Sequence, residues 1–127
     1  MLTTVVRRTL AISCLFNFVA AYAMAFPASN LGALFELPTE VPRLYAFLFA
    51  YVVVLFGIAY GWLSYQHTIN RPLLLLSSVG KVGIFLLTAG LSLTGDISVM
   101  PSVLAFGDFV FGAIWLSWLA SSRSGES

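Results

Sequence analysis

The sequence predicts an all-α integral membrane protein, a four-helix bundle with antiparallel up-down topology. Three observations carry this expectation. Of the 127 residues, 60% are hydrophobic and 9% are charged, against about 45–50% and about 25% in soluble domains. A soluble globule of this size has too little interior for so many apolar side chains, a limit that a lipid-facing protein does not meet. Four apolar segments approach the roughly 20 residues that a helix needs to cross a bilayer. Those segments are continuous runs, without the polar–apolar alternation of a membrane β-barrel.

The first segment covers residues 10–26, after Arg7 and Arg8. Residues 1–25 also resemble a signal peptide: the two arginines form a basic start, and Ala23-Met24-Ala25 is a small-residue cleavage pattern. Cleavage there would leave three helices. Against it, Ser13, Asn17, Ala20 and Ala21 fall on a common helical face suited to packing in a bundle. The longest connection follows, punctuated by Pro27, Pro38 and Pro42. Its short apolar stretch, residues 31–37, reads either as a helical turn or two along the outer interface or as an ordinary packed connection.

The second segment covers residues 44–65. The third, residues 73–93, opens after Arg71-Pro72, and the fourth, residues 103–119, follows Gly95-Asp96 and Pro101. Pro42, Pro72 and Pro101 sit just before helices, where a missing N–H does no harm. Residues 121–127 are a short polar tail, expected to be mobile. Neither an internal repeat nor a soluble domain is legible, so residues 1–127 read as one transmembrane domain.

Basic residues set the expected orientation. Arg7, Arg8, Arg71 and Arg123 belong to the ends and the middle loop, whereas the other two loops carry only Arg43, beside Glu36, Glu40 and Asp96. The positive-inside rule then predicts both termini in the cytoplasm. Trp62, Tyr65, Trp115 and Trp118 lie towards the same side, as an aromatic belt would. The size and simplicity fit a bacterial inner (plasma) membrane.

Several function classes lose support. A net charge of +1 with no basic patch argues against a nucleic-acid partner. A single cysteine, Cys14, excludes an intrachain disulfide and any multi-cysteine metal site. A single histidine, His67, leaves no pair for zinc or haem. No nucleophile–base set is visible, so the sequence does not point to an enzyme, and no metal or cofactor is expected. The expected partners are the lipid bilayer and another membrane protein.

Lys81 is the most informative residue, because it interrupts an apolar run at mid-segment. A lysine at a helix centre costs about 2.5–3.5 kcal/mol on insertion scales, so it is expected to face the bundle interior. Ser77, Lys81, Thr88 and Ser92 fall on one side of their helix, which gives it a polar stripe. Asp108 is the matching anomaly in the fourth segment, sharing a face with Pro101, Leu104, Gly112 and Trp115. At about 1.5 Å per residue, Lys81 lies roughly 12 Å from the inner end of its helix and Asp108 roughly 16 Å. A long lysine spans that gap. However, side chains lean towards each helix's N-terminus, which draws the two groups apart in antiparallel helices. A direct ion pair and a bridge through water or another polar group both stay open. Asn17, roughly 12 Å deep, and Tyr60, roughly 9 Å deep, complete a candidate polar core or ligand-binding cluster with Lys81 and Asp108.

Small residues mark expected close approaches: Gly57-x-x-x-Gly61 with Ser64, then Gly80, Gly83 and Gly90, then Gly107 and Gly112. Packing within the chain is the expectation for them, rather than dimerisation.

The four spans, Arg71-Pro72 opening the third, Gly80-Lys81 with Gly83 inside it, and Gly107-Asp108 followed by Trp115-Leu116 together resemble the DoxX-like group of small bacterial four-helix membrane proteins. The resemblance covers most of the chain and implies the same fold. Some members of that group are associated with oxidoreductase or catabolic systems, and the resemblance carries over only Lys81 and Asp108, as polar core residues. No quinone, haem or thiol motif accompanies them. The first functional expectation is a structural or accessory inner-membrane protein serving a larger membrane system. The alternative is a carrier or binder of a small apolar or weakly polar molecule, held in an intramembrane cavity around Lys81 and Asp108.

Overall fold

The structure, a computed structural model, describes residues 2–121. The polar tail from residue 122 onward, with Arg123, lies outside the described residues. The chain is all-α: α1 (Leu2–Ala25), α2 (Asn30–Leu34), α3 (Arg43–Tyr65), α4 (Arg71–Leu93) and α5 (Met100–Ser121), with no strand among the described residues. Four of the five helices are long and apolar enough to cross a membrane.

The long helices run beyond the apolar segments at several ends, because polar groups continue them. α1 begins at Leu2 rather than residue 10. Val6 and Leu10 are fully buried, and the Thr9 hydroxyl folds back onto the carbonyls of Val5 and Val6. Arg7 belongs to the helix too. Its guanidinium donates to the carbonyls of Ser64, Gln66 and His67, at 3.1, 2.5 and 2.9 Å. These lie at and just beyond the C-terminal end of α3, where a cation meets the negative pole of the helix dipole. Arg71 repeats the device, donating to the Leu119 carbonyl near the end of α5 at 2.8 Å. α4 starts at Arg71 because Asn70 caps it, accepting from the Leu73 N–H at 2.9 Å. Pro72 and Pro101 therefore sit inside first turns, which tolerate a missing N–H. The apolar stretch at residues 31–37 contributes a single short helix, α2, capped by Ser29 and ended at Phe35.

α1 packs along α3, and α4 along α5. α1 also touches α5, whereas α3 and α4 barely meet. The main core joins Val6 and Leu10 of α1, Tyr60 and Leu63 of α3, Ile69, Leu74 of α4, and Trp115 and Trp118 of α5. Beyond Lys81 no residue of α4 is buried, so the two helix pairs are joined mainly at this end.

That core corrects the expected aromatic belt. Trp115 and Trp118 are fully buried and face the bundle interior. Their indole N–H groups donate to Thr9 Oγ1 at 2.9 Å and Thr3 Oγ1 at 3.0 Å, satisfying the polar edge that a buried tryptophan must place. Trp62 and Tyr65 do stay exposed.

The glycines divide by the same criterion. A Cβ on Gly57 would meet Asn17 Cβ at 3.0 Å, and one on Gly61 would meet Cys14 Sγ at 3.1 Å, so this G-x-x-x-G seats α1 on α3. A Cβ on Gly112 would meet Val82 Cγ2 at 2.8 Å and the Ser78 carbonyl at 3.0 Å. By contrast, a Cβ on Gly80, Gly83 or Gly90 would have nothing within 4 Å, so among the described residues these glycines mediate no close approach. Gly112→Leu is therefore expected to destabilise the α4–α5 contact by about 1–3 kcal/mol through overpacking. Gly90→Ala should be neutral or stabilising by up to about 1 kcal/mol, from helix propensity alone. Thermal unfolding of both variants in one detergent checks the contrast.

Candidate functional site

The site begins with the seating of α1 on Gly57. Because that position has no side chain, Asn17 can approach α3 closely. Its Nδ2 donates to the Val53 carbonyl at 3.0 Å. That bond orients the amide, so that Oδ1 faces away and accepts from Lys81 Nζ at 3.1 Å. Lys81 Nζ also donates to Asp108 Oδ1 at 2.5 Å, which makes the pair a direct salt bridge. The lysine side chain is 4% exposed and the aspartate 16%.

Tyr60 supplies a different kind of contact. Its ring centroid lies 4.8 Å from Lys81 Nζ. The rings of Phe16 and Phe111, both at 5.6 Å, and of Trp115 at 6.0 Å complete an aromatic surround. Each ring face attracts the ammonium through its quadrupole, by about 0.5–1 kcal/mol and more when desolvated. All four residues singled out in the sequence thus meet in one cluster. Of the two arrangements left open, a direct pair and a bridged one, the pair is direct.

The expected polar stripe on α4 does not extend the site. Ser77 is buried, but its hydroxyl donates to the Leu73 carbonyl of its own helix. Ser78, outside the stripe, is equally buried and bonds the Leu74 carbonyl in the same way. Thr88 turns back onto Ile84 and Phe85. His67 is exposed in the α3–α4 connection, and Cys14 is half-buried against Gly61. No group of three or more metal-ligating side chains converges among the described residues.

The aromatic surround was not anticipated. One signal was present: Asp108, Phe111 and Trp115 recur at i, i+3 and i+7, which places them on one helical face. Phe16, adjacent to Asn17 in the chain, had no such signal, because its role depends on how α1 and α4 are rotated about their axes.

Beside the cluster lies a cavity of about 250 Å³. Ala20, Met24 and Phe56 form apolar walls, and Asn17, Tyr60, Lys81 and Asp108 line it as well. Phe49, Val52 and Ile84 line it and remain exposed, so the cavity opens sideways between α3 and α4. This arrangement is an apolar cleft with a hydrogen-bonded ion pair at its floor, suited to holding a molecule that is mostly apolar with a small polar end.

No family model matches the chain, and no curated protein or solved structure matches it.

Proposed function

We propose that the protein is a small multi-pass membrane protein that binds an apolar or weakly polar molecule in the cleft beside Lys81 and Asp108. The observation that carries this reading is the side-opening cavity itself, with apolar walls and the one buried ion pair found among the described residues lining it. Ionisable groups within membrane segments are costly, and they concentrate where a protein handles a substrate or ion. A purely structural network gains nothing from an adjoining space that another side chain could fill.

In this reading the four long helices run antiparallel, up and down, with both termini in the cytoplasm of a bacterial inner membrane. The support is the shared position of Arg7, Arg8 and Arg71 at the joined end of the bundle. α1 is retained, because it supplies Asn17 and Phe16 to the cluster. Membership of the DoxX-like group rests on the motifs around Lys81 and Asp108 and is part of the same proposal. A second reading, an accessory subunit of a larger membrane assembly, draws on the exposed side of α4. There Gly83 and Gly90 leave the backbone open to a close neighbour.

The test is photolabelling in bilayers with a diazirine-bearing alkyl probe. The cleft-filling variant Gly80→Leu serves as control: Gly80 lines the cavity, and a Cβ added there has no neighbouring atom within 4 Å. Labelling should concentrate on cleft residues and fall in the variant.

A further inference from the structure

The floor of the cleft selects the head group of its ligand, a step that rests on the binding reading above. The polar valences at the floor are unequally used. Lys81 Nζ has three N–H groups. Two go to Asn17 Oδ1 and Asp108 Oδ1, and the ammonium is otherwise surrounded by four aromatic rings. Asn17 is occupied at both ends of its amide, by Lys81 and by the Val53 carbonyl. Asp108 differs. Its Oδ1 takes the lysine, while Oδ2 accepts from no donor among the described residues, and the carboxylate lines the cavity. The Tyr60 phenol lines the same cavity; its oxygen accepts from the Asn17 amide, and its O–H is left to donate.

The charge at this floor is already balanced, one cation against one anion. An anionic head would meet the free oxygen of Asp108 with like charge. A cationic head would compete with Lys81 inside an apolar site, where an extra ion is costly. A carbonyl or ether oxygen would leave the acceptor on Asp108 unanswered. A hydroxyl fits both open valences: it donates to Asp108 Oδ2 and accepts from Tyr60.

The size of the space limits the rest of the molecule. About 250 Å³ is below the roughly 300–1,000 Å³ of pockets that enclose a drug-sized ligand. The lateral opening at Phe49, Val52 and Ile84 lets a chain continue outwards. We infer that the cleft binds a single-chain or otherwise slender apolar alcohol, entering between α3 and α4 with its hydroxyl on Asp108.

The experiment is a competition in lipid nanodiscs, with each dissociation constant expressed as a mole fraction in the bilayer. The probes are 1-dodecanol, dodecyl methyl ether, dodecanoate and dodecylamine. The alcohol should bind at least about tenfold tighter than the ether, as one hydrogen bond to a charged acceptor implies, and tighter than either charged probe. Gly80→Leu should weaken all four. In the double variant Lys81→Met/Asp108→Leu the preference for alcohol over ether should vanish, while the chain itself is still bound. Equal or tighter binding of the ether, the carboxylate or the amine to the unaltered protein overturns the head-group assignment and leaves the cleft reading standing. No saturable binding of any probe, or binding unaffected by Gly80→Leu, overturns both.

Discussion

Asp108→Leu should lower the unfolding free energy by about 3–5 kcal/mol, and adding Lys81→Met should restore most of that loss. The asymmetry follows from burial. The single variant leaves an ammonium 4% exposed, held only by the Asn17 amide and four ring faces. The double variant removes the uncompensated charge and replaces the pair with apolar groups of similar bulk, which is often neutral. Lys81→Met alone should be costly too, because the aspartate then loses the one cation that bonds it among the described residues. The coupling energy from the cycle should fall at the high end of the 0.5–3 kcal/mol seen for neighbours, or above it. Additive effects would mean that the two groups do not share a site. Denaturant titration of the four proteins in one mixed micelle provides the measurement.

Trp115→Ala should cost a similar amount, about 3–5 kcal/mol, as the removal of a large buried ring does. Trp115 is fully buried, its ring centroid lies 5.3 Å from that of Tyr60 and 6.2 Å from that of Phe111, and its N–H holds Thr9. Trp115→Phe keeps most of the packing and loses the hydrogen bond, so it should cost about 0.5–1.5 kcal/mol for that bond. Trp62→Ala, at an exposed position, should stay within about 0.5 kcal/mol. The same three variants separate a core tryptophan from a belt tryptophan, since a belt would make Trp115 and Trp62 alike.

What could be read in the sequence follows from which quantities depend only on local pattern. The number and type of the long helices were legible, because continuous apolar runs bounded by Pro27, Pro42, Pro72 and Pro101 need no tertiary information. The meeting of Asn17, Tyr60, Lys81 and Asp108 was legible as depth, because a fixed rise per residue converts position into height. Rotation about each axis was not legible. Trp115 and Trp118 sit near the height of a belt yet turn inwards to Thr9 and Thr3, and Gly80, Gly83 and Gly90 face open space among the described residues. Helix ends were misplaced for a related reason. Arg7 reads as a flanking charge until the carbonyls it caps, at the end of α3, are known. The cleft lay furthest from the sequence, since it arises where α3 and α4 fail to pack.

The central claim is that the space above the Lys81–Asp108 pair is a binding site, and the position of a crosslinked ligand tests it most directly. With the diazirine-bearing alkyl probe in bilayers, the modified peptides should carry label on Phe49, Val52, Phe56 and Ile84, which line the cleft. That labelling should saturate with probe and drop in Gly80→Leu. Label spread equally over Leu15, Leu55 and Leu87, which are exposed elsewhere on α1, α3 and α4, and unchanged by Gly80→Leu, would contradict the account.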